Sequence, residues 1–166
     1  MRKYKTILLD PPWWEKGGGK IKRGADRHYP LLKPYEIIET IYKSGVFNPD
    51  KNCHLYLWVT NNHLIDGLKL IETLGFKYKT NLVWVKDRFG LGQYFRGQHE
   101  LCLFAIKGKQ PTKTKNTSTV IISRRREHSK KPDEIHKIIE KNSPPPYLEM
   151  FARKKRRGRD TWGNEL

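Results

Sequence analysis

Apolar residues recur along this chain in two rhythms. Short dense runs, Lys5 to Leu9, Cys53 to Val59, Lys79 to Val85, Glu100 to Ile106, Thr119 to Ile122 and Tyr147 to Ala152, predict strands. Between them lie stretches with helical spacing. Pro34 opens a helix over Tyr35 to Tyr42 with Ile37, Ile38 and Ile41 on one face. Asn61 or Asn62 caps a second helix through Leu74, with Leu64, Leu68 and Ile71 as its stripe and Gly75 as its stop signal. Pro132 opens a third over Asp133 to Lys141, with acids in its first turn where the helix dipole favours them, and Pro144-Pro145-Pro146 ends it. Residues 15–27 and the polar stretch Lys107 to Ser118 carry no periodicity, and a loop with Gly90, Gly92 and Gly97 joins two of the strands.

Strands alternating with helices predict an α/β fold with helices on both faces of the sheet. Ligands in such sheets sit beyond the carboxyl ends of the strands. Asp10 and Arg153 each follow a strand directly, so two distant stretches meet at one edge.

Composition narrows the class. At 166 residues the chain has the length of one domain, and 11% aromatic side chains set it apart from a disordered polycation. No repeat is present, and no apolar run reaches the ~20 residues that cross a bilayer. The stretch after Met1-Arg2-Lys3 is too short for a signal peptide. Cys53 and Cys102 give neither a disulfide framework nor a metal-ligand spacing, and the six His residues show none either, so no metal is expected. The expected compartment is the reducing cytoplasm of a prokaryotic or phage-infected cell.

Charge changes the picture most. The formal net charge is +17. Basic residues cluster at Arg124-Arg125-Arg126, at Lys130-Lys131, between Lys107 and Lys115, and in Arg153-Lys154-Lys155-Arg156-Arg157 with Arg159. Such clusters without acidic blocks point to nucleic acid, because each neutralised phosphate releases condensed counterions. No basic amphipathic helix supports a membrane surface as partner.

The candidate chemistry lies in Asp10-Pro11-Pro12-Trp13, directly after a buried strand. Two prolines fix the backbone, so the Asp10 carboxylate and the Pro11 carbonyl form a rigid ledge of acceptors. An exocyclic amino group on a nucleobase is a poor nucleophile because its lone pair is delocalised. Two acceptors holding its N–H bonds draw the nitrogen towards tetrahedral geometry, and Trp13 is expected to stack on the base. Catalysis at such a ledge is mostly positioning.

This motif resembles that of the DPPW-type adenine-N6 methyltransferases, the group that includes the eukaryotic messenger-RNA adenosine methyltransferase and small bacterial and phage enzymes. The resemblance runs from Tyr4 to Leu166. It takes in His28-Tyr29-Pro30, Leu57-Trp58-Val59-Thr60-Asn61, Gly75-Phe76, Trp84-Val85-Lys86 and Arg96 with His99-Glu100. It continues through His128-Ser129-Lys130-Lys131-Pro132-Asp133-Glu134, Glu149-Met150-Phe151-Ala152-Arg153 and Trp162-Gly163-Asn164-Glu165.

The resemblance implies a Rossmann-like methyltransferase fold with a mostly parallel sheet, as a single domain over residues 1–166. Its order would be circularly permuted, the Asp10 strand first and the cofactor strand last. It implies S-adenosylmethionine as cofactor, held by Asp10, Lys131 (with Lys130 as the alternative register), Phe151, Arg153, Asn164 and Glu165. Tyr29 and Glu100 would line the base pocket. Lys155-Arg156 stand where the eukaryotic branch has His-Asn, which suits phosphate. The Gly17-to-Lys22 loop that follows Trp13, with Lys20, Lys22, Arg23 and Arg27, is expected to close over an extruded base.

DNA is favoured over RNA as substrate because no accessory RNA module is evident. An inactive nucleic-acid-binding subunit of the same fold is the alternative, which the intact Asp10 to Trp13 motif argues against. A homodimer or a partner subunit is left open.

Overall fold

A computed structural model describes residues 1–15, 31–126, 130–163 and 166. Seven strands form one sheet: β1 (Tyr4–Leu9), β2 (Pro49–Val59), β3 (Lys77–Val85), β4 (His99–Lys107), β5 (Val120–Ile122), β6 (Tyr147–Met150) and β7 (Asp160–Trp162). Their order across the sheet is β5-β3-β4-β2-β1-β6-β7. Only β4 runs against its neighbours; the pairs β1–β2, β1–β6, β3–β5 and β6–β7 are parallel. The helices are α1 (Pro34–Lys43), α2 (Leu64–Thr73) and α3 (Glu134–Asn142).

The period-2 alternation of the central strands decides what lies on each face. On one face Ile7 and Leu9 of β1, Leu55, Leu57 and Val59 of β2, and Leu148 and Met150 of β6 join Ile37 and Ile41 of α1 and Leu70 and Ile71 of α2. On the other, Leu8, Tyr56, Trp58, Trp84 and Cys102 pack with Ile135 and Ile139 of α3. The expected helices on both faces are therefore present, among the described residues two on one side and one on the other. The sheet is mostly parallel, as a Rossmann-like fold requires.

Differences from expectation are local. The strand at 53–59 starts earlier, at Pro49, and the one at 147–152 ends earlier, at Met150. Residues 61–63, expected to open α2, form a separate 3-10 turn before it. Strand β7 is absent from the sequence reading because three residues, Asp-Thr-Trp, show no period on their own. Its place is fixed by pairing with β6 and by Gly163, where a Cβ would stand 2.2 Å from the Ala152 carbonyl oxygen.

Gly67 has a comparable cause. In the middle of α2 it costs helix stability relative to alanine. A Cβ there would sit 2.4 Å from Val59 Cγ1 and 3.2 Å from Leu103 Cδ1, so the glycine lets α2 lie close on β2 and β4. Gly67→Ala is therefore expected to destabilise the fold by about 1–3 kcal/mol through overpacking rather than stabilise it through propensity. Urea denaturation of the two proteins checks this; a more stable alanine variant would contradict the close packing.

Candidate active site

Because β1 and β6 are parallel, Asp10 and Phe151 leave the sheet at the same edge, and the Asp10 amide donates to the Met150 carbonyl at 3.4 Å. Beyond Asp10 the two prolines fold the chain back. The Trp13 amide donates to the Pro11 carbonyl at 2.9 Å and the Leu32 amide to the Pro12 carbonyl at 2.7 Å. The Pro11 carbonyl expected to face a substrate thus already accepts one hydrogen bond, from the Trp13 amide.

Trp13 takes a different place from the one its motif suggested. It is only 6% exposed, its indole N–H donates to the Trp58 carbonyl at 2.8 Å, and its ring stacks on His63 at 5.1 Å. It locks the ledge to β2 and the turn before α2 instead of offering a face to a base. Its neighbour Trp14, 40% exposed, is the open aromatic.

The third side of the edge is an ion chain. Lys131, just ahead of α3, places Nζ 3.0 Å from Asp10 Oδ1 and 3.3 Å from Glu100 Oε2. Lys86, just past β3, reaches Glu100 Oε1 at 2.8 Å. Trp58 and Trp84 lie beneath these ammonium groups, Lys131 5.6 Å above one ring and Lys86 4.8 Å above the other. Burial alone would raise the Glu100 pKa, but Lys131 and Lys86 outweigh it and hold the carboxyl below its ordinary value. The neighbouring Lys130 is exposed, so it is Lys131 that meets Asp10. Sequence reasoning gave Lys86 and Trp58 no role, although both stand inside motifs that carry the resemblance, Trp84-Val85-Lys86 and Leu57-Trp58-Val59-Thr60-Asn61.

Phe151 has a positive φ of 61°, uncommon for an aromatic residue, and rests edge-on against Trp162 at 5.7 Å. It turns the chain sharply out of β6, so half-buried Arg153 emerges at the same edge as Asp10. The structure thus brings together Asp10, Lys131 and Glu100, with Phe151 and Arg153 on the adjacent strand end. Lys20, Lys22, Arg23, Tyr29, Asn164 and Glu165, and with them the expected closing loop, lie outside the described residues. Among the described residues no group of three or more His, Cys, Asp and Glu side chains is placed to hold a metal ion. None of their helices is long and apolar enough to cross a membrane.

Along α3 runs a cationic cleft of about 280 Å³, lined by His136, Glu140, Lys154, Lys155, Arg156, Arg157 and Arg159. Arg156 binds Asp133, which also takes Arg126, and Arg159 binds Glu140. Glu149 Oε2 lies 3.7 Å from Arg159 and 3.9 Å from Arg156, beyond hydrogen-bond reach of either, and burial raises the Glu149 pKa despite both. Exposed Lys155 and Arg157 have no acidic partner among the described residues.

A mostly parallel sheet with helices on both faces and an acid–lysine pair at its carboxyl edge is consistent with a Rossmann-like methyltransferase fold. The chain belongs to the MT-A70 family, whose profile matches residues 4–165. It is similar to the type II methyltransferase M.MunI of Mycoplasma sp, 31% identical over 188 residues that cover 99% of this chain and 78% of that protein. It is also similar to the probable N(6)-adenosine-methyltransferase MT-A70-like protein of Oryza sativa subsp. japonica, 36% identical over 90% of this chain and 21% of that one. The N(6)-adenosine-methyltransferase catalytic subunit METTL3 of Homo sapiens is 27% identical over 91% of this chain and 26% of that one. The chain thus spans most of the Mycoplasma protein and about a quarter of these two eukaryotic relatives.

The cleft makes stability depend on pH. Burial, with repulsion from Arg159 and Arg156, pushes His136 down to about 3, and its Nδ1 accepts from Arg159 at 2.8 Å. An unfolded chain binds that proton near pH 6.5. Stability present above pH 6.5 is therefore lost as pH falls towards 3. Moving from pH 7 to pH 5 is expected to cost about 1–2 kcal/mol through this residue. Urea denaturation at both pH values should show a smaller loss in His136→Gln; an equal loss would contradict a neutral His136.

Proposed function

We propose that this chain is an S-adenosylmethionine-dependent methyltransferase acting on N6 of adenine in DNA, working as a single domain over residues 1–166 in the cytoplasm. The observation that carries the reading is the Asp10 carboxylate at the carboxyl end of β1, beside the Pro11 carbonyl and 3.0 Å from Lys131. The strand order, with β1 first and β6, which leads to Arg153, late in the chain, favours the permuted arrangement.

The donor set fits the cofactor. The amino-acid end of S-adenosylmethionine is a zwitterion, and Asp10 and Lys131 offer the complementary charges side by side, each partly open to solvent. Asp10 would hold the ammonium and Lys131 the carboxylate, with Arg153 and Phe151 beside them and Asn164 and Glu165 on the ribose. S-adenosylmethionine supplies an electrophilic methyl group.

The chain's own residues supply orientation. Asp10 has two oxygens, enough to face both the cofactor's ammonium and one N–H of the adenine amine. The Pro11 carbonyl, with two lone pairs of which the Trp13 amide uses one, takes the second N–H. Trp13, locked to β2, keeps the ledge from moving, so little reorganisation is needed when the base arrives.

DNA is favoured because the type II methyltransferase M.MunI is a relative that this chain covers over most of its length. The names of the eukaryotic relatives favour RNA adenosine as the second reading. The charge of +17 supports a nucleic-acid partner under either reading.

Mass spectrometry of nucleosides from DNA and RNA incubated with protein and cofactor tests the reading. N6-methyldeoxyadenosine is expected, and Asp10→Ala should lower its rate at least ~10²-fold, as for loss of a preorganised polar contact. Methyl groups on RNA alone, or an Asp10→Ala protein near wild-type rate, would overturn it. In the cationic cleft, Lys155→Ala combined with Arg157→Ala should weaken DNA binding and lower its salt slope by about one per lost phosphate contact. Fluorescence anisotropy over a salt series measures this; an unchanged slope would remove the cleft from the DNA footprint.

A further inference from the structure

The loop over residues 86–98 joins β3 to β4. Since β3 is antiparallel to β4, β4 is antiparallel to β2, and β2 is parallel to β1, this loop leaves the sheet at the same edge as Asp10. Its two roots are Lys86 and, just past its end, Glu100, both members of the ion chain. It is a built structure. The Lys86 amide donates to the Gln98 carbonyl and the Gln98 side-chain amide donates back to the Lys86 carbonyl, both at 2.9 Å. Above that clasp the Gly90 amide donates to Gly97 at 2.6 Å and Arg96 Nε to Gly90 at 2.8 Å. Gly92 makes the tip tight, for a Cβ there would stand 2.0 Å from the Phe95 carbonyl oxygen.

This anchored loop holds its apolar side chains outward. Phe89 and Leu91 are largely exposed, Tyr94 is 103% and Phe95 87% exposed, and Tyr94 has a positive φ of 61°. Large apolar side chains grouped on a surface mark a binding site. The surroundings are basic: Arg88 and Arg96 lie in the loop and the Arg125 guanidinium lies near Gly90. The one acid of the loop, Asp87, is taken by the Arg125 amide at 2.8 Å and by Arg88 at 3.7 Å. A polyanion carrying flat apolar rings matches this combination. A protein partner would demand a broader face, about 20–30 residues a side.

The chemistry supplies the need. A ledge fixed by two prolines and a buried tryptophan cannot enter a stack, so a paired adenine must come out to it. Proteins that distort duplexes in this way fill the opened step with apolar side chains. We infer that the loop over residues 86–98 is a wedge whose Tyr94 and Phe95 rings enter the DNA stack and hold open the place of the extruded adenine. The inference rests on the DNA reading above, and goes beyond it by assigning the extrusion step to a loop outside the ledge.

The test uses the full chain, the Tyr94→Ala/Phe95→Ala variant and the Tyr94→Leu/Phe95→Leu variant, with thermal melting to show that all three are folded. Substrates are a duplex containing an adenine that the wild type methylates, the same duplex with an abasic site opposite that adenine, and the single strand. The alanine variant should lose about 10-fold or more in kcat/KM on the paired duplex, the scale of one lost stacked ring. It should recover to near wild type on the other two substrates, where no pairing resists extrusion, and the leucine variant should retain most of the duplex activity. Equal losses on all three substrates, no loss on the duplex, or a change of oligomeric state accompanying the loss would overturn the wedge. So would a wild-type protein that methylates the single strand and not the duplex. A wild type that methylates adenine in none of the three fails the DNA reading itself, which separates the two failures.

Discussion

One ammonium group organises the functional edge of this protein. Lys131 Nζ stands between the carboxylates of Asp10 and Glu100, and Glu100 is held in turn by Lys86. These four side chains come from the end of β1, the start of β4, the end of β3 and the approach to α3. Charges withdrawn from water in this way are tolerable only when each meets its opposite, and removing one leaves another stranded. The alternation of two lysines and two carboxylates over the faces of Trp58 and Trp84 therefore fixes the relative positions of four elements. The same constraint aims Asp10, because its carboxylate cannot swing away from Lys131 without exposing that imbalance.

The sheet separates structural from chemical duties by face. The side carrying α1 and α2 is almost wholly apolar, and Gly67 lets α2 settle close against it. The side carrying α3 is where polar side chains are tolerated. His54 donates from Nε2 to the Gln110 carbonyl at 2.8 Å, and Ser143 lies 2.7 Å from both His54 and Tyr56. On that side too lie Glu149 with its arginines and the cleft along α3. In the sheet order the 86–98 loop joins β3 and β4, Asp10 follows β1 and the basic residues of the cleft follow β6, so Asp10 lies between the loop and the cleft.

Much of this was legible in the sequence because the strands are dense in β-branched and aromatic residues and the helices carry stripes of isoleucine and leucine. The Asp10 ledge was legible because carboxylate, proline and strand end are local features. What escaped depends on long-range contacts. The stacking role suggested for Trp13 is overruled by the Trp58 carbonyl and the His63 ring, contributed by a strand and a turn far along the chain. Lys86 stood in the Trp84-Val85-Lys86 motif without a role, and only the register of β3 on β4 sets it against Glu100. Strand β7 escaped because three polar-to-aromatic residues become a strand only beside β6.

The coupling of Asp10 to Lys131 is the point on which the site turns, and a double-mutant cycle measures it. Calorimetry would give the S-adenosylmethionine affinity of the wild type, Asp10→Asn, Lys131→Met and the double variant. If the two act as one zwitterion clamp, the double variant loses less than the sum of the single losses, by about 0.5–3 kcal/mol, as contacting residues do. Losses that add to within about 0.3–0.5 kcal/mol, as for distant independent sites, would contradict a shared clamp.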